Sequence, residues 1–177
     1  MADTALEPSR PTRKIRPIRI DGDVAYVPLT RGLEAVIDAA DVPLVEGWNW
    51  YACVGKYGHA YAYRAIKRDG KHRSAPMHRQ IMGPSERLVD HIDGDGLNNR
   101  RSNLRLATPQ QNIVNRVMDR RNKLGIKGVD ISNGKYRACI QKDGRTIFLG
   151  RYETAKEASA AYNGAAKALF GEFARSG

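Results

Sequence analysis

In the stretch from Val89 to Asn115, VDHIDGDGLNNRRSNLRLATPQQNIVN, three aspartates and a histidine stand just ahead of the most basic part of the chain. Asp90, Asp93 and Asp95 are hard oxygen donors, and His91 carries an imidazole that titrates near neutrality, so a divalent cation beside a general base is within their chemistry. A calcium loop beginning at Asp93 does not fit. Its fifth position would be Leu97, its sixth Asn98 where glycine is needed, and its twelfth Leu104 where glutamate is needed. A different geometry is expected: a strand ending at Asp90 and His91, a hairpin tip with Gly94, Gly96, Asn98 and Asn99, a return strand over 104–107, then a helix. Thr108 caps that helix, Pro109 takes its first position, and Asn112 follows one turn in. Ribbon and helix together can bring Asp90 and Asn112 onto one magnesium-type cation as oxygen ligands, leaving other positions to water and phosphate oxygens. A fully regular strand would send His91 to the face opposite Asp90, so the strand is expected to end or twist there.

The remaining sequence must position these residues. The chain has 177 residues, 41% hydrophobic and 28% charged, which suits one medium domain or two small ones. Thirty Lys and Arg against nineteen Asp and Glu leave a net charge of +11 and point to a polyanionic partner. Arg100, Arg101, Arg105, Arg116, Arg120, Arg121, Lys123 and Lys127 face only Asp119 in their stretch, a local net charge of +7. Arg10, Arg13, Lys14, Arg16 and Arg19 belong to a second basic stretch in a Pro-interrupted arm, expected to be mobile over residues 1–18. It reads equally as a phosphate clamp or a solubilising tail. No run of 18 apolar residues and no secretory leader is visible, so a soluble, intracellular (cytoplasmic) protein is expected. Cys53 and Cys139 supply neither a disulfide framework nor a CxxC pair for zinc.

From about Ile18 to Met82 the pattern is strand-like, at Val24 to Pro28, Trp48 to Cys53 and Tyr57 to Tyr63, and a small sheet is expected. Leu33, Val36, Ile37 and Ala40 fall at helical spacing, so a short helix over 32–40 is expected before Pro43. His59, His72, Trp48, Trp50, Tyr61 and Tyr63 are read as core and rim of the sheet in preference to a base-stacking platform. After the basic linker DRRNKLG comes a compact unit: a strand over 135–142, a turn at Asp143 and Gly144, a strand over 145–149, and a helix over 154–170. Thr154 with Glu157 makes a capping box and Gly171 a stop; Ala158, Tyr162, Ala165 and Leu169 line one face.

The DH pair, the following DGxxxNN, the later Asn103 and the helix-borne Asn112 resemble the HNH endonuclease motif of the ββα-metal fold, in the phage and intron homing variant, over roughly 77–117. Five positions agree in identity and order. The resemblance implies that His91 is the general base, that Asn103 hydrogen-bonds and orients it, and that Asp90 and Asn112 hold the metal. Many members have His where Asn112 stands, although related homing nickases carry Asn; Asn115, one turn on, is a rival for that role. His78, in the MHR segment, also matches by position and is expected to pack against the hairpin. Asp93 is expected to hold the Gly94 turn. Cleaving a phosphodiester needs a deprotonated water and positive charge at the phosphorane; a base such as His91 is worth about 10²–10⁴ in rate, and one cation acts as Lewis acid.

Lys127, Gly128 and Val129, then GKYRACI from Gly134, FLGRYET from Phe148 and AAYNGAA in the helix, resemble the AP2/ERF DNA-binding domain, which is also found fused to HNH nucleases. The resemblance implies a three-stranded antiparallel sheet in the major groove with the helix behind it. Tyr136, Ala138 and Ile140 can then face the helix while Lys135, Arg137, Cys139 and Gln141, with Thr146 and Phe148, face outward. Arg137, Gln141 and Arg145 are candidates for bases or phosphates, and Lys135 and Lys142 for phosphates. Asp130, Ser132, Cys139, Gln141 and Thr146 stand where plant domains read bases with Arg or Glu, so the plant target does not transfer.

The expectation is an α+β protein acting on double-stranded DNA as a monomer, with one Mg2+ or Mn2+ and no small-molecule cofactor. Its parts are an arm (1–18), an HNH domain (19–118), a basic linker (119–126) and an AP2-like domain (127–175). Arg100, Arg101, Arg105, Arg116, Arg120 and Arg121 are expected on DNA with the AP2-like residues. The principal alternative is an AP2-type DNA-binding regulator whose HNH part has lost its chemistry; RNA binding is a third.

Overall fold

Alternation of buried and open positions builds the first sheet. In the computed structural model, which describes residues 14–56, 58–115 and 124–174, β1 (Arg19–Asp21), β2 (Val24–Pro28) and β3 (Glu34–Asp38) form an antiparallel meander. Ala25 and Val27 of β2, and Ala35 and Ile37 of β3, point into the core. The helix expected over 32–40 is therefore a strand. Period-two burial, β-branched Val36 and Ile37, and full pairing with β2 outweigh the helical spacing. Part of the expected mobile arm is also anchored. The Arg16 backbone N–H donates to Asn49 Oδ1 (3.1 Å), its guanidinium reaches the Trp50 carbonyl, and Ile18 packs on the core. The arm up to residue 13, Arg116, Arg120, Arg121 and the linker up to residue 123 lie outside the described residues.

A short helix, α1 (Val42–Val45), leads to a second antiparallel sheet of β4 (Tyr51–Val54), β5 (Ala60–Arg68) and β6 (Lys71–Pro76), followed by α2 (Met77–Met82). Trp50 is the largest fully buried side chain, and its indole N–H donates to the Val45 carbonyl (2.8 Å), so it is core; Trp48 is exposed rim with Arg64 stacked on it at 4.1 Å. Trp50, Ile37, Val27, Val45, Met77 and Ile81 form one core beneath both sheets.

The ribbon β7 (Leu88–His91) and β8 (Leu104–Ala107) pairs antiparallel, with Asp90 opposite Arg105 and His91 opposite Leu104, and runs into α3 (Pro109–Asn115). Thr108 and Gln111 exchange capping hydrogen bonds (2.8 and 3.2 Å), so the start of α3 is where its residues predict it. The ribbon is docked on the first sheet by a parallel bridge: the Val36 N–H donates to the Leu97 carbonyl (2.8 Å) and the Asn99 N–H to the Val36 carbonyl (2.7 Å). Two arginines lock this contact. Arg100 reaches Asp38 and Asp23 at 2.7 Å each, and Arg101 grips Asp41 at 2.8–3.0 Å and the Ile81 carbonyl at 3.0 Å. Burial alone would raise the Asp38 carboxyl, but the donors of Arg100 and Arg101 outweigh it and hold it below its usual range.

The C-terminal unit is an antiparallel sheet of β9 (Val129–Ser132), β10 (Lys135–Lys142) and β11 (Arg145–Tyr152), with β10 central and α4 (Ala155–Phe170) packed on it. Asp143 and Gly144 both have positive φ, 50° and 74°, as a two-residue hairpin turn requires. The Thr154–Glu157 capping box is formed, and Ala158, Tyr162 and Ala166 are buried against the sheet, with the expected Ala165 and Leu169 packed beside them. Gly128 admits the Tyr162 ring, whose nearest carbon would lie 2.0 Å from a Cβ there. Leu124 and Ile126, expected as linker, pack on this unit. The whole is a mixed α/β chain of small antiparallel sheets and few helices.

Candidate functional site

The loop between β7 and β8 is held by its own side chains. Asp93 Oδ1 accepts from the Asp95 N–H (2.8 Å) and Asp95 Oδ1 from the Leu97 N–H (2.9 Å), two successive Asx turns. Asn103 closes the loop. Its Oδ1 accepts from the Asp93 N–H (3.0 Å), while its Nδ2 donates to Asp93 Oδ1 (2.9 Å) and the Asn98 carbonyl (2.8 Å). Asp93 thus holds the turn as expected, and donors from Asp95, Asn98 and Asn103 outweigh its burial to keep its carboxyl below the usual range. Gly96 lets the loop lie on β5, since a Cβ would fall 2.3 Å from the Tyr61 ring and 2.5 Å from the Ala60 carbonyl. Asn103 was expected to orient His91. Its three bonds go to the loop instead, because its amide lies across the hairpin mouth.

The residue that meets the His91 ring is Asn99, with His91 Nε2 and Asn99 Oδ1 3.3 Å apart. Asn99 is fully buried, and its Nδ2 faces the carbonyls of Leu97 (3.0 Å) and Gly96 (3.4 Å), which leaves its oxygen for the imidazole. Nε2 must then carry the hydrogen, and Nδ1 keeps the free lone pair. The clue was the Asn98–Asn99 pair, read from the sequence as hairpin-tip residues and part of the DGxxxNN motif, with no role at His91. Three rings surround this face: His78 lies edge-on to His91 at 5.1 Å, Tyr61 at 5.8 Å from His91 and 6.3 Å from His78. His78 packs on the hairpin, as expected. Burial lowers His91 below the ordinary histidine value, against opposing contributions from Asn99 and nearby aspartates. Burial, then His91 and Arg79, lower His78 to about 4.

Asp90 faces the other way. Its Oδ2 accepts from Arg105 Nε (3.0 Å) and its Oδ1 from Asn115 Nδ2 (3.1 Å), which also donates to the His91 carbonyl (2.7 Å). Asp90 and His91 are each 5% exposed and have separate sets of side-chain neighbours, as alternation along a strand dictates. Among the described residues no side chain hydrogen-bonds both the Asp90 carboxylate and the His91 ring. Asn115, the rival, hydrogen-bonds Asp90, because the end of α3 lies over β7; among the described residues Asn112 makes no hydrogen bond to that carboxylate. Asn112 is half-buried one turn earlier, and among the described residues its side-chain amide has no hydrogen-bond partner. Each Asp90 oxygen keeps a lone pair beyond its hydrogen bond. A carboxylate with such lone pairs fits a hard cation completed by water and phosphate. Among the described residues no group of three His, Cys, Asp or Glu forms a fuller metal cage.

The expected DNA-contacting residues divide in two. Arg100, Arg101 and Arg105 are internal ties to Asp23, Asp38, Asp41 and Asp90, because the loop needs cations to dock on an acidic sheet edge. Lys135 pairs with Glu153 (2.6 Å) and Arg137 with Asp130 (2.7 Å) on the open sheet. Gln141, Lys142 and Arg145 carry no ion pair among the described residues, and Gln141 and Arg145 are exposed. Phe148 is exposed opposite Cys139 on the same outer face.

A family model described as HNH endonuclease matches residues 79–114, which take in the end of α2, the ribbon and most of α3. A protein of Acanthamoeba polyphaga mimivirus, described as an uncharacterized HNH endonuclease, is 38% identical over 164 residues, covering 88% of this chain and 81% of its own length. Protein 3.8 of Escherichia phage T7 is 36% identical over 64 residues, 35% of this chain and 53% of its own. No solved structure matches. With a relative this similar along nearly the whole chain, and the family's DH pair at the end of β7, the chain belongs to the HNH endonuclease family.

Proposed function

We propose that this protein is a divalent-cation-dependent DNA endonuclease of the homing type, which hydrolyses one strand of duplex DNA at a single site. The observation that carries the reading is the contact of His91 Nε2 with the buried Asn99 Oδ1 at 3.3 Å. With Nε2–H committed to Asn99, Nδ1 is free to take the proton of the attacking water, and burial keeps the ring neutral near pH 7. Asp90 and the unengaged amide of Asn112 would hold the cation, Mg2+ or Mn2+, which supplies Lewis-acid stabilisation of the phosphoryl and leaving oxygens. Asn115 keeps the Asp90 carboxylate and the His91 backbone in register, and Asn103 keeps the loop closed. The phosphodiester lies at the end of β7, where the two faces of the strand meet.

In this reading residues 19–118 are the nuclease part and the C-terminal unit an AP2-like holder of the duplex, with Gln141, Lys142 and Arg145 free for DNA. Arg137 and Lys135 must exchange Asp130 and Glu153 for phosphate. Two weak DNA contacts on one chain raise affinity through effective concentration.

Conversion of supercoiled plasmid in Mg2+ or Mn2+ tests the proposal. Wild type yields relaxed circles, and His91→Ala lowers the rate by about 10²–10⁴-fold with DNA binding retained. Linear product overturns nicking, and equal relaxation by wild type and His91→Ala overturns the enzyme. A non-cleaving DNA-binding protein is the second reading. It is favoured by the two donors already on Asp90 and by the burial of Asp90 and His91, and it predicts DNA binding with no relaxation in either metal.

A further inference from the structure

The guanidinium on Asp90 is held from its far side by the C-terminal unit. Arg105 sits opposite Asp90 in the ribbon, and its Nε donates to Oδ2 at 3.0 Å. Its Nη1 donates to the Glu172 carbonyl at 2.8 Å, and its Cζ lies 3.9 Å from the centre of the Phe173 ring. Glu172 and Phe173 belong to the 3₁₀ turn Gly171–Phe173 that ends α4, and Phe173 is buried. The Arg105 side chain is only 11% exposed and that of Asp90 6%, so water screens the pair little. Nη2 is buried with no acceptor among the described residues.

We propose that Phe173 and the Glu172 carbonyl are positioning elements of the Asp90 metal site, acting through Arg105. The inference rests on the endonuclease reading for its purpose, but its physical content is separate. A ligating carboxylate depends on the groups that hydrogen-bond it for its orientation, and losing such a group weakens metal binding by about 10–100-fold. Asn115 supplies one of these groups from the nuclease part itself. The other, Arg105, keeps its place only while the last turn of the C-terminal unit holds its face and one amino group. Metal affinity in the nuclease part therefore depends on a residue more than 80 positions away in sequence, in a unit otherwise assigned to holding DNA.

The test is Mn2+ titration of the full chain without DNA, followed by the paramagnetic resonance signal of free Mn2+. Phe173→Ala and Phe173→Leu are compared with wild type, and duplex affinity is measured in EDTA. The leucine variant keeps apolar packing and removes only the aromatic face. Both variants are expected to bind Mn2+ about 10-fold more weakly, with duplex affinity in EDTA within about 2-fold of wild type and the Mn2+ requirement for cleavage raised in step. Unchanged Mn2+ affinity in the folded leucine variant overturns the proposal, as does tighter binding, which would make Arg105 a competitor for Asp90. Wild type that cleaves DNA while the variants keep its Mn2+ affinity sinks this inference alone. Wild type that binds Mn2+ with the predicted sensitivity to Phe173 but cuts no DNA sinks the nuclease reading and leaves the positioning intact.

Discussion

Asp90 and His91 are neighbours on one strand, yet the two faces of the β7–β8 ribbon treat them oppositely. On the Asp90 face a carboxylate is met by a guanidinium and an amide, and the chain behind them comes from α3 and the end of the C-terminal unit. On the His91 face an imidazole is met by Tyr61 of β5, His78 of α2 and Asn99 of the ribbon's own loop. One face is built to carry negative charge next to cations, the other to keep a ring uncharged. Alternation along a strand achieves this separation with no spacer, and two titratable groups whose surroundings differ in this way can take different chemical roles.

The comparison breaks most visibly at Asp90. Asp90→Ala leaves Arg105 as a buried cation without its partner and should lower unfolding stability by about 3–5 kcal/mol in urea titration, with much of the loss recovered in the double variant with Arg105→Met. A loss below about 1 kcal/mol would mean that the pair behaves as an exposed one. On the other face, pH is the probe. His78 titrates at about 4 in the fold and near 6.5 in the unfolded chain, so the unfolded chain binds the extra proton between those values and stability falls as pH drops through that window. The loss should reach about 3 kcal/mol between pH 6.5 and 4, and the lowered His91 adds in the same direction. Asp38 and Asp93, lowered from 3.8, act only below this range. His78→Phe should flatten that slope in urea midpoints at pH 7 and 4.5; an unchanged slope would show that His78 titrates alike in the folded and unfolded chain.

Asn99→Ala sharpens the contrast at smaller cost. It strips His91 Nε2–H and the Leu97 carbonyl of their partner and should destabilise by about 1–3 kcal/mol, with a tautomer change readable in the imidazole nitrogen shifts. If Nε2 remains protonated and stability is unmoved, Asn99 does not orient the ring. The smallest effect is expected at Asn112, whose side-chain amide has no hydrogen-bond partner among the described residues. Asn112→Ala should stay within about 0.5 kcal/mol of wild type while weakening Mn2+ binding, whereas a large stability loss would mean that Asn112 belongs to the fold and not to the cation.

Local chemistry alone marked much of this molecule. The Asp143–Gly144 turn, the Thr154–Glu157 and Thr108–Gln111 caps, Pro109 at the start of α3 and the bounds of β8 and β10 all follow from residues within a few positions of one another. The DH pair and the asparagines around it announced the site for the same reason. What residue order could not assign was which asparagine does what. Asn98, Asn99, Asn103, Asn112 and Asn115 carry identical amides, and only the folded ribbon sends one to His91, one to Asp90, one across the loop and leaves Asn112 open. Segment 32–40 likewise held helical and strand periodicity at once, and pairing with β2 decided between them. Arg100, Arg101 and Arg105 read as a phosphate-binding run until their acidic partners, 15 to 77 positions away, came into contact. Short-range geometry is written in the chain itself, whereas the partner of a long polar side chain is settled only when distant segments pack and desolvation forces each buried charge to find its counterpart.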